Sequence, residues 1–374
     1  MSAIYIHIPF CKQACHYCDF HFSTSLKYKE RMLLAIQKEL ITRSVDFKED
    51  VVQTIYFGGG TPSLLTQQEI DSFLAVIYYN YTVIECPEIT LEANPDDLDE
   101  GTILELAASK INRLSIGVQS FFEEDLKMMN RAHNSTEAIA CLGLATKYFD
   151  NITVDLIYGI PGLTQERWQQ NMKRVFDLGI NHISCYALTI EEKTALARFI
   201  ERKIIPPVDE ELALGHFNSL VEEAEKNGFV HYEISNFGKP DCFSKHNTSY
   251  WKGKRYLGVG PSAHSYLAGT RSWNVANNAK YIKALELDDS YSELEELTMN
   301  DRFNEAVMIG LRTIYGVDLM KLKAEFGKTY FDYLMSEAKP FIEDGKLEIR
   351  EEILKTTVKG KFLADGIAAE LFYV

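Results

Sequence analysis

Three cysteines fall within one short stretch, "FCKQACHYCDFHF", at Cys11, Cys15 and Cys18, and Phe20 stands where a further cysteine would extend the run. A loop with this C-x3-C-x2-C spacing can wrap three thiolates around one face of a cubane iron–sulfur cluster. That leaves the fourth iron without a protein ligand. The competing chemistry is a zinc site completed by His16 or His21. Zinc loops more often use cysteine pairs with a second, distant pair. Here Cys86, Cys141, Cys185 and Cys242 are scattered singly, as half-buried core cysteines are. Other residues able to bind a polar ligand recur downstream: Gly58, Gly59, Gly60 and Thr61, then Glu92, Gln119 and Asp155.

These residues gain meaning from the elements that carry them. Short apolar, β-branched runs read as strands at Ala3–Ile8, Thr54–Gly60, Glu88–Pro95, Arg113–Ser120, Ile152–Pro161 and His182–Leu188. Helical patterns lie between them at Lys29–Thr42, Gln67–Tyr78, Thr136–Phe149 and Gln165–Leu178. Strands apolar on both faces belong to a parallel sheet covered by helices. Six β/α units over about 190 residues fit a closed or partly closed barrel. The polar residues then sit at the carboxyl ends of successive strands, the rim where such barrels bind ligands.

Beyond Leu188 the pattern changes. Helices are expected at Glu191–Arg202, Asp209–Asn227 and Thr298–Thr313, with a short acidic segment around Ser290–Glu296. The tail "KLEIREEILKTTVKGKFLADGIAAELF" reads as two short strands and a last helix, a winged-helix-like module. The expected divisions are 1–200 for the barrel, 201–290 for a connecting extension and 291–374 for this α+β module, read as a lid or docking element.

With 374 residues, 46% of them hydrophobic and 25% charged, the chain has a globular composition. A net charge of −15 argues against a nucleic-acid partner gripped through phosphates. There is no apolar run long enough for a membrane span and no signal-peptide pattern, so the expected compartment is the cytoplasm.

The three-cysteine loop followed by a six-unit β/α pattern resembles the radical S-adenosylmethionine superfamily. In order, "YIHIPFCKQACHYCDF", "YFGGGTPSLL", "LEANPDDL", "RLSIGVQSF", "LKMMNRAH" and "VDLIYGIPG" are similar to one branch, the oxygen-independent coproporphyrinogen III oxidase-like proteins, over nearly the whole chain. The resemblance implies a partial (β/α)6 barrel and a 4Fe-4S cluster on Cys11, Cys15 and Cys18. It also implies S-adenosylmethionine at the open iron. The cofactor residues it implies are Tyr5, Tyr17, Gly59, Gly60, Thr61, Glu92, Gln119, Arg131, Asp155 and Ala187. Glycine is expected there so that no Cβ blocks the ligand. Glu92 and Asp155 suit ribose hydroxyls or an ammonium, Gln119 and Arg131 a carboxylate, and Tyr5 and Tyr17 the nucleoside.

Within the branch two functions compete. One is oxidative decarboxylation of coproporphyrinogen III; the other is the HemW type, which binds haem and delivers it to acceptor proteins. Phe20 replaces the additional cysteine of the oxidases, and the chain reaches Cys11 without their long preceding segment. "HNTSYW" matches the H-N-x-x-Y-W motif of the haem-binding type, which implies haem contacts from His246, Asn247, Tyr250 and Trp251. A neutral imidazole ligates haem iron, and Tyr and Trp rings can pack on a porphyrin. Lys245, Lys252, Lys254 and Arg255 are candidates for the propionates. The plainer alternative has His246 capping a loop through hydrogen bonds and Trp251 filling core. His264 is a second candidate ligand, with a structural hydrogen bond favoured. A simple electron-transfer protein would favour four cysteine ligands and need no such rim. The expected partners are haem, a haem-accepting apoprotein and an electron donor for the cluster. Peripheral contact with membrane haem proteins is compatible with the sequence, and coproporphyrinogen oxidase activity is expected to be absent.

Overall fold

Six strands rich in apolar and β-branched residues line up in sequence order: β1 (Ser2–Ile8), β2 (Val51–Gly59), β3 (Thr82–Ala93), β4 (Arg113–Gln119), β5 (Ile152–Tyr158) and β6 (His182–Ala187). All five neighbouring pairs are parallel. Every residue of β4 is buried, as a strand covered on both sides requires. The computed structural model describes residues 2–267 and 269–374.

The helices begin where short polar side chains supply caps. Thr66 accepts from the Glu69 backbone N–H while the Glu69 carboxylate accepts from the Thr66 N–H, starting helix Gln67–Asn80. Asn134 and Glu137 do the same for helix Ser135–Ala145, and Thr164 caps helix Gln165–Asp177. Thr66 and Thr164 follow β2 and β5 by short loops, whereas helix Glu123–Met128 lies between β4 and Asn134. Thr194 caps a shorter helix, Ala195–Glu201, than the expected Glu191–Arg202.

The chain after Glu201 builds both edges of this sheet. On one side β7 (Val230–Glu233) and β8 (Asn236–Gly238) form a hairpin with β8 antiparallel to β6. On the other, β9 (Arg255–Val259) joins β1 in parallel, and β10 (His264–Leu267), β11 (Thr270–Asn274) and β12 (Ser292–Glu296) follow antiparallel. The full order is β12-β11-β10-β9-β1-β2-β3-β4-β5-β6-β8-β7, an open barrel whose β7 edge is met by Thr313 and Ile314. The short acidic segment around Ser290–Glu296, expected to fall largely within the 291–374 module, is instead largely an edge strand of this sheet; its glutamates suit an edge because like charges discourage pairing with another chain.

Buried apolar residues form two clusters, one running from Ile4 to Leu285 and one from Phe303 to Leu371. The second core lies between helices and a small sheet of β13 (Val317–Asp318), β14 (Leu347–Arg350) and β15 (Ile353–Thr356), ordered β13-β15-β14. The two cores meet along the β7 side. Ile314 N–H donates to Tyr232 O at 3.0 Å, and the rings of Phe217 and Phe362 lie 5.4 Å apart. Together these give an α/β partial (β/α)6 radical SAM-type barrel followed by a smaller α+β, winged-helix-like domain.

Candidate functional site

A cavity of about 630 Å³ opens at the carboxyl ends of the parallel strands. The loop after β1 brings Cys11, Cys15, Tyr17 and Cys18 to it. Gly59, Gly60 and Thr61 arrive from β2, Glu92 from β3, Gln119 from β4, Asp155 from β5 and Ala187 from β6. Arg131 enters from beyond β4. Tyr5 is not among the lining residues. It lies beneath the glycines, its hydroxyl 3.1 Å from His7 Nδ1 and its ring stacked on Tyr56.

The glycines are demanded by protein packing as much as by any ligand. Gly60 N–H donates to Ile8 O at 2.9 Å and Thr61 N–H to Phe10 O at 2.7 Å, stitching β2 to the cysteine loop. A Cβ on Gly60 would stand 2.5 Å from Phe10 O and 2.8 Å from Ile8 O. Gly59 has φ +105°, and a Cβ there would strike the His7 ring. The expected reason, clearance for a ligand, is thus incomplete: the residues under these glycines already exclude a side chain. Gln119 also takes a left-handed φ of 66° at an irregularity in the β4–β5 ladder, an uncommon conformation for a non-glycine residue.

Two acidic groups face each other across the interior. The Tyr56 hydroxyl donates to Glu92 Oε1 at 2.7 Å and Gly59 N–H donates to Oε2 at 3.2 Å. Burial raises the Glu92 pKa above its ordinary value despite these donors. Burial, with Glu92 nearby, pushes Asp155 up to about 7; Ser115 Oγ reaches both of its carboxylate oxygens at 3.4 Å. A cationic or hydroxyl-rich ligand between the two carboxylates would favour their charged forms.

Arg131 faces the loop, with Nη1 3.4 Å from Cys15 Sγ. Its Nη2 donates to Asn94 Oδ1 at 2.6 Å and to Gly117 O at 2.7 Å. The guanidinium therefore offers charge to a thiolate, in addition to any ligand carboxylate. Burial pushes the Cys18 thiol up to about 12 and raises Cys11 as well, so their thiolates need a cation alongside. His16 Nδ1 is engaged with Met128 O at 2.9 Å and His21 Nε2 with Asn278 Oδ1 at 2.6 Å. Among the described residues no three His, Cys, Asp or Glu side chains converge on a single-ion site. The donor set thus fits a cluster held by three thiolates better than a mononuclear zinc ion.

The "HNTSYW" stretch forms helix Lys245–Trp251, none of whose residues lines the cysteine cavity. His246 is 1% exposed. Its Nδ1 lies 2.8 Å from Thr54 Oγ1 and its Nε2 2.8 Å from the Tyr250 hydroxyl. Burial pushes its pKa down to about 3, so the ring is neutral. The ring also stacks on Tyr56 at 4.8 Å, one residue contact away from Glu92. Trp251 is partly exposed, with the Arg312 guanidinium 5.3 Å from its ring centre, so it does not fill core. His264 is exposed at the start of β10, with its ring 6.2 Å from Trp273. The structural hydrogen bond favoured for His264 is absent among the described contacts, because its ring points out of the sheet.

Sequence reasoning missed part of the cavity. Asn94 and Gly117 line it beside Arg131, while Phe217 and Tyr186 form an apolar flank. Arg312, Phe362 and Asp365 of the C-terminal domain complete the lining. Their great separation in sequence from Cys11 leaves no local sequence signal. Phe20 is at the mouth, 69% exposed, and offers no donor atom.

A family model described as the radical SAM superfamily matches residues 5–175, and one described as the HemN C-terminal domain matches residues 297–363. A protein of Bacillus subtilis (strain 168) named heme chaperone HemW is 32% identical over 375 residues, covering 98% of each chain. One of Lactococcus lactis subsp. lactis (strain IL1403), with the same name, is 35% identical over 337 residues, covering 90% of this chain and 88% of that protein. The solved coproporphyrinogen III oxidase (HemN) of Escherichia coli, described as a radical SAM enzyme, superposes with a TM-score of 0.87. It covers 99% of this chain and 90% of that one at 23% identity, a likeness of fold. With its three-cysteine rim and end-to-end similarity to these chaperones, the chain belongs to the HemW family of radical SAM proteins.

Proposed function

We propose that this protein binds haem and transfers it to acceptor proteins, carrying a 4Fe-4S cluster on Cys11, Cys15 and Cys18 with S-adenosylmethionine at the open iron. The observation that carries the reading is the gathering of three thiols, the glycine-rich end of β2 and two buried carboxylates in one cavity, in a chain similar along its length to heme chaperones. Glu92 and Asp155 would accept hydrogen bonds from ribose or ammonium groups, and Gln119 would donate to a carboxylate. Arg131 would hold charge against Cys15. When bound, the cluster and sulfonium supply one-electron chemistry. Tyr186 and Phe217 flank the remaining volume.

Haem contact from His246, Asn247, Tyr250 and Trp251 is part of the proposal. The neutral His246 ring has the right protonation for an iron ligand. Its Nε2 must first leave the Tyr250 hydroxyl. The haem acceptor and the reductant of the cluster are separate partners. No helix among the described residues is long and apolar enough to cross a membrane, so contact with a membrane haem protein would be peripheral. A cytoplasmic location is proposed with the unpaired thiols in view, since a reducing compartment preserves them.

The second reading, oxygen-independent coproporphyrinogen III oxidase, is favoured by the shared fold and the full rim. Phe20 weighs against it. After anaerobic reconstitution, the protein should take up about one haem per chain and form no protoporphyrinogen from coproporphyrinogen III with S-adenosylmethionine and a reductant. Catalytic formation of the vinyl product would overturn the chaperone reading.

A further inference from the structure

A second cavity, of about 650 Å³, opens at the opposite end of the barrel, where β1, β2 and β3 begin. Such a volume lies in the range of small-molecule sites, roughly 300–1,000 Å³. Its walls include Ile84, Val230, Pro240 and Phe243. Around them stand Lys245, Lys252 and Lys254, a local excess of positive charge in a chain of net charge −15. Asp241 is the acidic group at the same rim. Lys252 lies 4.9 Å from the Tyr315 ring centre, and Lys254 Nζ is 3.2 Å from Gln53 Oε1, so both ammonium groups are held beside neutral groups. Arg255 turns away to Asp50 at 2.8 Å and leaves the three lysines as the basic groups of the cavity.

Two hydroxyls sharpen this reading. Ser2 Oγ and Thr248 Oγ1 both belong to lining residues, are shut off from solvent, and have no hydrogen-bond partner among the described residues. Ser2 is only 3% exposed. A buried hydroxyl without a partner is costly and marks a place where a polar ligand atom can arrive. Thr54 also lines the cavity while its Oγ1 contacts His246 Nδ1, so the imidazole lies directly behind the wall.

We propose that this cavity seats the carboxylates of a flat, apolar tetrapyrrole, with Lys245, Lys252 and Lys254 as their charge partners. The inference rests on the haem reading and deepens it. The tetrapyrrole is gripped by its acid side chains at the end of the barrel opposite the cluster. Apolar walls match the macrocycle, the lysines match its propionates, and His246 is the ligand waiting behind Thr54. Binding therefore begins without iron coordination, and a metal-free porphyrin shares the site.

The test is equilibrium titration of the full-length protein, followed by absorbance, with haem, metal-free protoporphyrin IX and protoporphyrin IX dimethyl ester. Partly exposed ion pairs each contribute a factor of about two to five, so K245A/K252A/K254A should weaken both free acids by about tenfold or more. The wild type should bind the diester at least as poorly as the triple variant binds the acid. K328A/K339A, on the exposed face of the C-terminal domain, should bind like wild type. An unchanged circular-dichroism spectrum of the lysine variants establishes that the fold is intact. Wild-type affinity in the triple variant, or diester binding equal to that of the acid, would overturn this site while leaving haem binding itself standing. Failure of the wild type to bind haem at all would sink the chaperone reading and the site together.

Discussion

Substituting Gly60 by alanine tests the claim that β2 holds the cysteine loop in place. The new methyl group would stand 2.5 Å from Phe10 O, 2.8 Å from Ile8 O and 2.9 Å from Phe10 N. All three are backbone atoms, so no side-chain rotation relieves the clash. Relief requires β1 and the start of the cysteine loop to move off β2. That motion stretches the bonds from Gly60 N–H to Ile8 O and from Thr61 N–H to Phe10 O. Overpacking costs about 1–3 kcal/mol, and each weakened backbone bond up to about 1 kcal/mol. A loss of about 2–4 kcal/mol is therefore expected in denaturant unfolding of cluster-free protein. The larger consequence is chemical, because Cys11 follows Phe10 directly. Iron and sulfide content after anaerobic reconstitution should fall well below that of wild type. The control is Gly143→Ala in helix Ser135–Ala145, where a Cβ meets nothing within 4 Å. That change should be neutral or stabilising by up to about 1 kcal/mol, with full cluster uptake. If Gly60→Ala loads a full cluster and unfolds at the wild-type denaturant concentration, the coupling of β2 to the loop is refuted.

Four further outcomes follow from the same geometry. Asp155 has a folded pKa raised from 3.8 to about 7 by burial and by Glu92, so the folded state binds the proton more tightly than the unfolded chain. Its contribution to cluster-free stability is fully present below about pH 4 and declines as pH rises toward 7, by at most roughly 4 kcal/mol. Asp155→Asn should flatten that part of the pH–stability curve. S-adenosylmethionine binding, measured by equilibrium dialysis on reconstituted wild type, should weaken as pH falls below about 7, and Asp155→Asn should remove that dependence. Arg131→Gln takes positive charge from beside Cys15 Sγ and should shift the cluster reduction potential downward in protein-film voltammetry, whereas Arg131→Lys should restore part of it. Tyr250→Phe removes the hydroxyl that occupies His246 Nε2 and should increase the low-spin, histidine-ligated fraction in haem absorption spectra; an unchanged spectrum would argue that His246 never reaches the iron.

The barrel was legible because its signals are local. β1 to β6 carry apolar, β-branched runs, helices with side-chain caps follow β2 to β5, and period and caps are written within a dozen residues. The pairing of β7–β12 with both sheet edges was not legible, since those short segments acquire strand character only from the neighbour they join. Likewise Arg312, Phe362 and Asp365 reach the cysteine cavity through packing of the second core against β7, which no pattern near any of them records.

The amino-acid order alone determined the donor set: three thiols on one loop, glycines at one strand end, and acids on two other strands, Glu92 near the end of β3 and Asp155 midway along β5. It did so because parallel strands carry successive loops to a common rim. Tertiary packing decided what those residues are free to do. It made Gly59 and Gly60 necessary to β1 itself, and it set Arg131 against Cys15. It also closed His246 between Thr54 and Tyr250 while leaving three lysines open at the far mouth of the barrel. A side chain's type is fixed by sequence, but its accessible lone pair depends on which distant group reaches it first.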